Sequence, residues 1–300
     1  MDREDGTLDM QTQLIRYAAG FTRGFCRWLH LKSGLSKVSA WLHRICGDPS
    51  PAIQRVALKD GYSIEIDATD FIGRSIFWCG NYDPKIWTVI QRSLTRGGAF
   101  LDLGANFGIY SLQAAARVGS DGVVAAVEPN PTLAESLRRS AQASNAPHLT
   151  VVEAAAGETS GRVQLHIDPG STATASVRRE SVFGGPLTRA VDVEMLDVVK
   201  IVGDYFTQAI DVLKVDIEGV DEAVLVRLLD NGIKPQTVVF ECHAAEGQEV
   251  AKISLVRRLT DEGYDVYRIQ KSVFRLRLAP VSSLRAQRSH FDFVGYLQRH

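Results

Sequence analysis

The sequence predicts an α/β fold built on a mainly parallel, doubly wound sheet, and three observations carry that prediction. Phe100-Leu-Asp-Leu-Gly-Ala-Asn-Phe-Gly-Ile-Tyr110, followed by Val123-Val-Ala-Ala-Val-Glu-Pro129, reads as strand, glycine turn, helix, strand, acid. Three later apolar runs, at 149–156, 210–219 and 237–243, read as further strands with polar residues at their carboxyl ends. The 300 residues are 45% hydrophobic and 23% charged with a formal net charge of -1, which places the chain among ordinary globular proteins and excludes disordered or fibrous classes.

Taken in order, residues 1–50 form an N-terminal helical extension. Between Met10 and Gly47 the cations Arg16, Arg23, Arg27, Lys32, Lys37 and Arg44 occur with no acid, interleaved with Phe21, Phe25, Trp28, Leu29 and Trp41. This pattern fits a basic amphipathic helix pair resting on an anionic membrane, on a partner or on the chain's own core, or a cap whose charges face solvent. The N-terminus carries Asp2, Glu4 and Asp5 and no long apolar run, so neither a signal peptide nor a membrane span is expected. Cys26, Cys46, Cys79 and Cys242 show no close-pair spacing, so free thiols in a reducing, cytoplasmic setting are expected. Residues 51–95 form a hairpin and cap region, with Val56 to Ile66 turning at Asp60-Gly61, and residues 96–300 form the main domain.

The diagnostic unit opens the main domain. Ala99 to Leu103 is a short strand, Gly104 to Gly108 a turn that brings the backbone close to a ligand, and Phe107 to Val118 a helix with apolar residues at Ile109, Leu112, Ala115 and Ala116. Val123 to Val127 is a buried strand, and Glu128 at its end is placed to accept from ribose hydroxyls. Asn106 replaces the middle glycine of a dinucleotide turn, and Asp102 would repel a pyrophosphate but attract an ammonium or sulfonium. S-adenosylmethionine, which carries both cations and no phosphate, therefore fits better than a nicotinamide dinucleotide.

Beyond this unit, Leu149 to Ala156 reads as a third strand closed by Gly157, and Ile210 to Gly219 as a fourth on which Lys214, Asp216 and Glu218 share one face. Thr237 to His243 is a fifth strand ending in Glu241 and His243. Val163 to Ile167 and Ala190 to Met195 read as strands flanking a small, hydroxyl-rich loop, Asp168 to Ser176. Glu249 to Glu262 reads as a helix, and Tyr264 to Ile269 and His290 to Leu297 as the last strands. Arg268 to His300 holds seven Lys or Arg and the single acid Asp292.

Asp102-x-Gly-Ala-Asn-x-Gly108, Val127-Glu-Pro-Asn130, Leu213-Lys-Val-Asp-Ile-Glu-Gly219 and Val239-Phe-Glu-Cys-His243, with Tyr82-Asp-Pro84 upstream, resemble the FkbM-type S-adenosylmethionine-dependent methyltransferases. The resemblance implies a class I methyltransferase (Rossmann-like) fold with a seven-stranded, mainly parallel sheet, and methyl transfer, usually to oxygen. It implies that Asp102, Gly104, Asn106 and Gly108 surround the cofactor's amino-acid part, that Glu128 holds its ribose and Glu153 its adenine, and that Asp216, Glu218 and Glu241 face the reacting end. It also implies that the hairpin roofs the acceptor pocket. Glu153-Ala-Ala-Ala-Gly157 departs from the family's more polar version of that strand end.

A hydroxyl acceptor gains by losing its proton, and Asp216, Glu218, Glu241 and His243 are the bases available at the ligand edge. His243 has the unperturbed pKa best matched to neutrality. The same carboxylates and imidazole offer a place for a divalent metal, against a plainer arrangement in which Lys214 pairs with Glu241 or Asp216. The expected acceptor is a small molecule, sugar or lipid-linked glycan, and nucleic acid is not expected. A nicotinamide-dependent oxidoreductase and a non-catalytic binding protein on the same fold are the competing classes.

Overall fold

A computed structural model describes residues 35–47, 51–168, 171–176, 189–217, 219–243, 249–270, 275–284 and 290–298. The extension expected over residues 1–50 lies mostly outside the described residues. Its described helix, α1 (Leu35–Cys46), buries Leu35, Ser39 and Leu42 and leaves Trp41 and Ile45 exposed. No helix among the described residues is long and apolar enough to cross a membrane.

The hairpin forms as read, with β1 (Ile53–Ala57) antiparallel to β2 (Ser63–Asp67) and Gly61 in the left-handed region at φ 84°. Helices α2 (Phe71–Cys79) and α3 (Pro84–Ser93) follow. Asp70 caps the first by accepting from the N–H groups of Ile72 and Gly73. Asp83 caps the second from one residue before Pro84, which occupies the position where a missing N–H costs nothing.

The central unit runs β3 (Ala99–Leu103), α4 (Ile109–Val118), β4 (Val123–Val127), α5 (Pro131–Ala143), β5 (Leu149–Val152). Next come β6 (Ala155–Gly157), β7 (Gly161–Asp168), β8 (Ser171–Ser176) and β9 (Arg189–Asp197), then α6 (Val198–Tyr205), β10 (Val212–Val215) and α7 (Asp221–Asp230). The chain closes with β11 (Thr237–His243), α8 (Ser254–Asp261), β12 (Tyr264–Gln270), β13 (Arg277–Pro280) and β14 (His290–Leu297).

The large sheet has the order β13-β12-β14-β11-β10-β3-β4-β5. From β5 to β11 every pairing is parallel, while β14, β12 and β13 add antiparallel. This is the expected class I methyltransferase fold, with eight strands rather than seven because β13 extends the edge. Alternate residues of the central strands feed two apolar layers. Phe100, Val124, Val212 and Val239 join the layer containing α2, α3, α4 and α5, whereas Leu101, Ala125, Leu213 and Val238 join the one containing α6, α7 and α8.

Serines fasten the hairpin to this body. The Glu65 N–H donates to Ser140 Oγ (2.9 Å) and the Ser63 N–H to Ser144 Oγ (3.0 Å), while Ser136 Oγ donates to the Glu65 carbonyl (3.0 Å). Four helical residues advance about 6 Å and two strand residues about 6.7 Å, so the step from Ser140 to Ser144, the residue that closes α5, matches the step from Glu65 to Ser63 on β2.

Four expectations change. The third strand breaks after Val152, and Ala155–Gly157 joins a separate four-stranded sheet of order β6-β9-β7-β8. The stretch read as a loop within Asp168 to Ser176 contains β8, paired with β7; residues 169–170 lie outside the described residues. Strand β10 stops at Val215, because the chain turns at Asp216 into a loop tied down by Asp221, whose carboxylate accepts from the N–H groups of Ile217 and Gly219 at 3.2 Å each. The helix read from Glu249 starts at Ser254, after a single tight turn over Val250–Lys252.

Candidate active site

The carboxyl ends of β3, β4, β10 and β11 open into a cleft of about 240 Å³ roofed by residues of α2 and α3 and by the segment before α3. One end is lined by Val127, Glu128, Pro129, Ala154 and Ala155, the middle by Gly104, Asn106, Lys214 and Asp216, and the other end by Tyr82, Asp83, Phe240, Glu241 and Asp292. Open α/β sheets hold ligands at this edge.

Two glycines shape the turn between β3 and α4. Gly104 has φ 80°, and a Cβ there would lie 1.8 Å from the Asp216 carbonyl oxygen. Gly108 has φ 82°, and a Cβ would lie 2.1 Å from Leu137 Cδ1. Asn106 is also left-handed at φ 53°, and its side-chain oxygen accepts from the Phe107 N–H at 2.8 Å, the local bond that lets asparagine tolerate this conformation. The bend aims the Asn106 N–H at Glu128.

Glu128 is buried, with Oε2 accepting from the Asn106 N–H (2.8 Å) and Oε1 from the Asn130 N–H (2.9 Å). Burial pushes its pKa up to about 7 despite these two main-chain donors. Each oxygen keeps a lone pair, so the carboxylate can still accept two hydroxyls from the cleft side.

Asp102 and Lys214 are cross-strand neighbours on β3 and β10. Asp102 is fully buried and is not on the cleft surface: Oδ2 accepts from Ser111 Oγ (2.6 Å) and Oδ1 lies 3.2 Å from Lys214 Nζ. Lys214 also lies 3.4 Å from Asp216 Oδ2 and donates to the Gly104 carbonyl at 3.1 Å. Burial opposes its charge, but Asp102 and Asp216 outweigh that and hold its pKa above the ordinary lysine value. The lysine therefore pairs with Asp102 and Asp216, not with Glu241.

A second buried lysine organises the far wall. Lys85 Nζ sits 3.1 Å from Asp83 Oδ2 and 3.4 Å from Asp292 Oδ2, and these two carboxylates overcome its burial and raise its pKa. Asp292 stands directly across from Glu241 in the β11–β14 register. Burial raises its pKa, against the opposing pull of Lys85. Tyr110 donates to the Asp83 carbonyl at 3.3 Å and lies beneath Lys214, 5.6 Å from its ring centroid.

The family model for the methyltransferase FkbM domain matches residues 102–266, more than half of the chain, and takes in β4, β10, β11 and the glycine turn after β3. The chain belongs to the FkbM methyltransferase family. Among solved structures it is similar to a methyltransferase FkbM from Methylobacillus flagellatus KT, at 17% identity and a TM-score of 0.39, covering 68% of this chain and 44% of that one. It is similar to a precorrin-6y C5,15-methyltransferase from Geobacter metallireducens GS-15 at 14% identity and TM-score 0.40, covering 71% and 89%. A SAM-dependent O-methyltransferase from Thermotoga maritima is similar at 16% identity and TM-score 0.40, covering 73% and 67%. No curated protein matches the chain.

Of the residues that the FkbM resemblance singled out, Gly104, Asn106, Glu128, Asp216 and Glu241 converge on the cleft. Gly108 supports the turn from behind. Glu153 points elsewhere, pairing with Arg138 at 2.8 Å, and its neighbours Ala154 to Ala156 line the cleft instead. Glu218 and the side chain of His243 lie outside the described residues; the His243 backbone ends β11 opposite His290. No group of three or more His, Cys, Asp or Glu among the described residues is arranged to hold a metal ion. Sequence reading missed Lys85 and Asp292, which are 207 positions apart; the isolation of Asp292 as the single acid in a basic C-terminal stretch was the available signal.

The residues present suit S-adenosylmethionine, the cofactor that the family implies. Glu128 offers acceptors for ribose hydroxyls, Val127 and Ala154 to Ala156 an apolar wall for a purine, and Asp216 a negative charge for an ammonium. Both lysines lining or bordering the cleft are already committed to carboxylates, which leaves no uncommitted lysine there among the described residues for a pyrophosphate.

Proposed function

We propose that this methyltransferase transfers the methyl group of S-adenosylmethionine to a hydroxyl of a small molecule, sugar or lipid-linked glycan. The observation that carries the reading is Glu128, held at the end of β4 by two main-chain donors with both oxygens still able to accept. When bound, the cofactor supplies an electrophilic methyl on sulfonium. The chain's part is to fix the ribose through Glu128, to exclude water with the apolar floor and the α2–α3 roof, and to take the acceptor proton at the β10–β11 edge. Glu241 is the described candidate for that proton; Glu218 and His243 remain candidates from the sequence. Among the described residues, Asp83 and Asp292 share one lysine, and this excess of carboxylate over cation disfavours phosphorylated acceptors and nucleic acid. The buried thiols Cys79 and Cys242 fit a reducing, cytoplasmic setting.

Calorimetric titration of the chain with S-adenosylmethionine and with NAD, repeated on Glu128→Ala, tests the cofactor. Saturable binding of the first alone, lost in the variant, is expected. Binding of NAD in its place, or binding of S-adenosylmethionine unaffected by Glu128→Ala, overturns the reading. Release of S-adenosylhomocysteine over a panel of hydroxylated glycosides then identifies the acceptor.

A further inference from the structure

We infer that the outer face of α1 is a docking surface for an anionic lipid bilayer. At 100° per residue, Lys37, Trp41, Arg44 and Ile45 fall within about 100° of arc on this helix, on the side away from the buried Leu35, Ser39 and Leu42. All four are exposed, Trp41 and Ile45 at 61% each. Among the described residues four large apolar side chains are exposed, and two of them stand here one turn apart. Tryptophan is at home at the level of lipid headgroups, where its ring meets apolar chains and its N–H stays wet.

Charge favours a bilayer over a second copy of the chain. Helix α1 holds Lys37 and Arg44 and no acid. No acid occurs between Met10 and Gly47 either, while the same stretch of sequence adds Arg16, Arg23, Arg27 and Lys32. A two-fold contact through this face would bring like charges together. An anionic bilayer instead gains roughly fivefold in partitioning for each cation brought to its surface.

The face is presented by a seated helix. Leu35 and Leu42 join the core, and Ser39 Oγ shares a 3.1 Å hydrogen bond with Ser75 Oγ on α2. Helix α2 also supplies Ile72 to the lining of the cleft, so a single helix connects the docked face to the site. Of the acceptors proposed above, this placement favours a lipid-linked glycan. That choice rests on the methyl-transfer reading, whereas the docking does not.

Flotation of the full chain with vesicles of phosphatidylcholine containing about 30% phosphatidylglycerol, and with phosphatidylcholine alone, tests the surface. Binding roughly tenfold or more tighter to the anionic vesicles is expected, weakening as salt rises. Trp41→Ser with Ile45→Ser, and separately Lys37→Gln with Arg44→Gln, change exposed positions, so each should keep the wild-type melting temperature and lose about fivefold or more of that affinity. Brominated lipid should quench the tryptophan fluorescence of the wild type, and Trp41→Phe should remove most of that quenching. No flotation with anionic vesicles overturns the inference, as does quenching that survives Trp41→Phe. Flotation retained in full by either double variant also overturns it, and retention by both places the contact in residues 1–34. Self-association that Trp41→Ser with Ile45→Ser abolishes, without any vesicle binding, overturns it in favour of a contact between copies. Titration of the same samples with S-adenosylmethionine is independent of these outcomes, so failure of the docking and failure of the methyl-transfer reading are told apart.

Discussion

Replacing Lys214 by methionine keeps the length of the side chain and removes its charge, which isolates the electrostatic role of the buried pair. Asp102 then remains fully buried with the Ser111 hydroxyl as its remaining partner. At 3.2 Å and an effective dielectric constant of about 20, the lost attraction is about 5 kcal/mol, and breaking one side of a buried ion pair costs roughly 3–5 kcal/mol in practice. The prediction is therefore a loss of about 3–5 kcal/mol for Lys214→Met in urea unfolding at pH 7.5. Asp102→Asn combined with Lys214→Met should be less damaging than the sum of the singles by at least about 2 kcal/mol, because the second change removes the orphaned charge. A loss under about 1 kcal/mol for Lys214→Met, or additive singles, would refute the claim that this pair is a buried, mutually dependent unit.

Glu128, whose pKa rises from the ordinary 4.5 to about 7 on folding, should make the unliganded protein less stable as pH climbs from about 4.5 to 7, by up to about 3 kcal/mol; Glu128→Gln should lack that slope in urea titrations at stepped pH. Gly104→Ala and Gly108→Ala both carry the left-handed penalty of about 1–2 kcal/mol, but Gly104→Ala should cost clearly more, since its methyl strikes main chain while that of Gly108 strikes a leucine methyl that can rotate. Equal melting temperatures for the two would contradict this. Ser140→Ala should cost about 1–3 kcal/mol by stranding the Glu65 N–H, read as faster hydrogen exchange confined to the hairpin; unchanged exchange there would show that the hydroxyl does not hold it.

The parts legible in the sequence are those specified locally. Glycines at positive φ, a helix period beginning after the turn, and an acid at the end of the next strand each leave a mark within about thirty residues, so the β3–α4–β4 unit is legible, and with it the position of Glu128 just after β4. Asp102 and Lys214 both stand out in the sequence, yet their adjacency does not, because only strand order puts positions 112 apart side by side. Hence the sequence points Asp102 at a ligand, whereas in the fold it faces a lysine. Lys85 and Asp292 were hidden for the same reason. The serine- and threonine-rich segment before Ser176 looks like a loop by composition but forms a strand because β7 provides a partner. The split after Val152 falls at Glu153, but the alanines beyond it suit either sheet, so the sequence does not show which one they join.

The row of serines on α5 has a bearing on how this protein can change over time. β2 has a strand partner on one side, β1, and on the other it meets hydroxyls at positions 136, 140 and 144 where another strand would otherwise add. The edge that might recruit a second molecule is thus already engaged by a helix. It also couples two lengths: a single residue inserted in α5 between Ser140 and Ser144 would rotate the later hydroxyl by about 100° away from β2. Insertions in the Asp60-Gly61 turn leave that match intact, so drift in the hairpin should concentrate at its tip while helix and strand are inherited as one block.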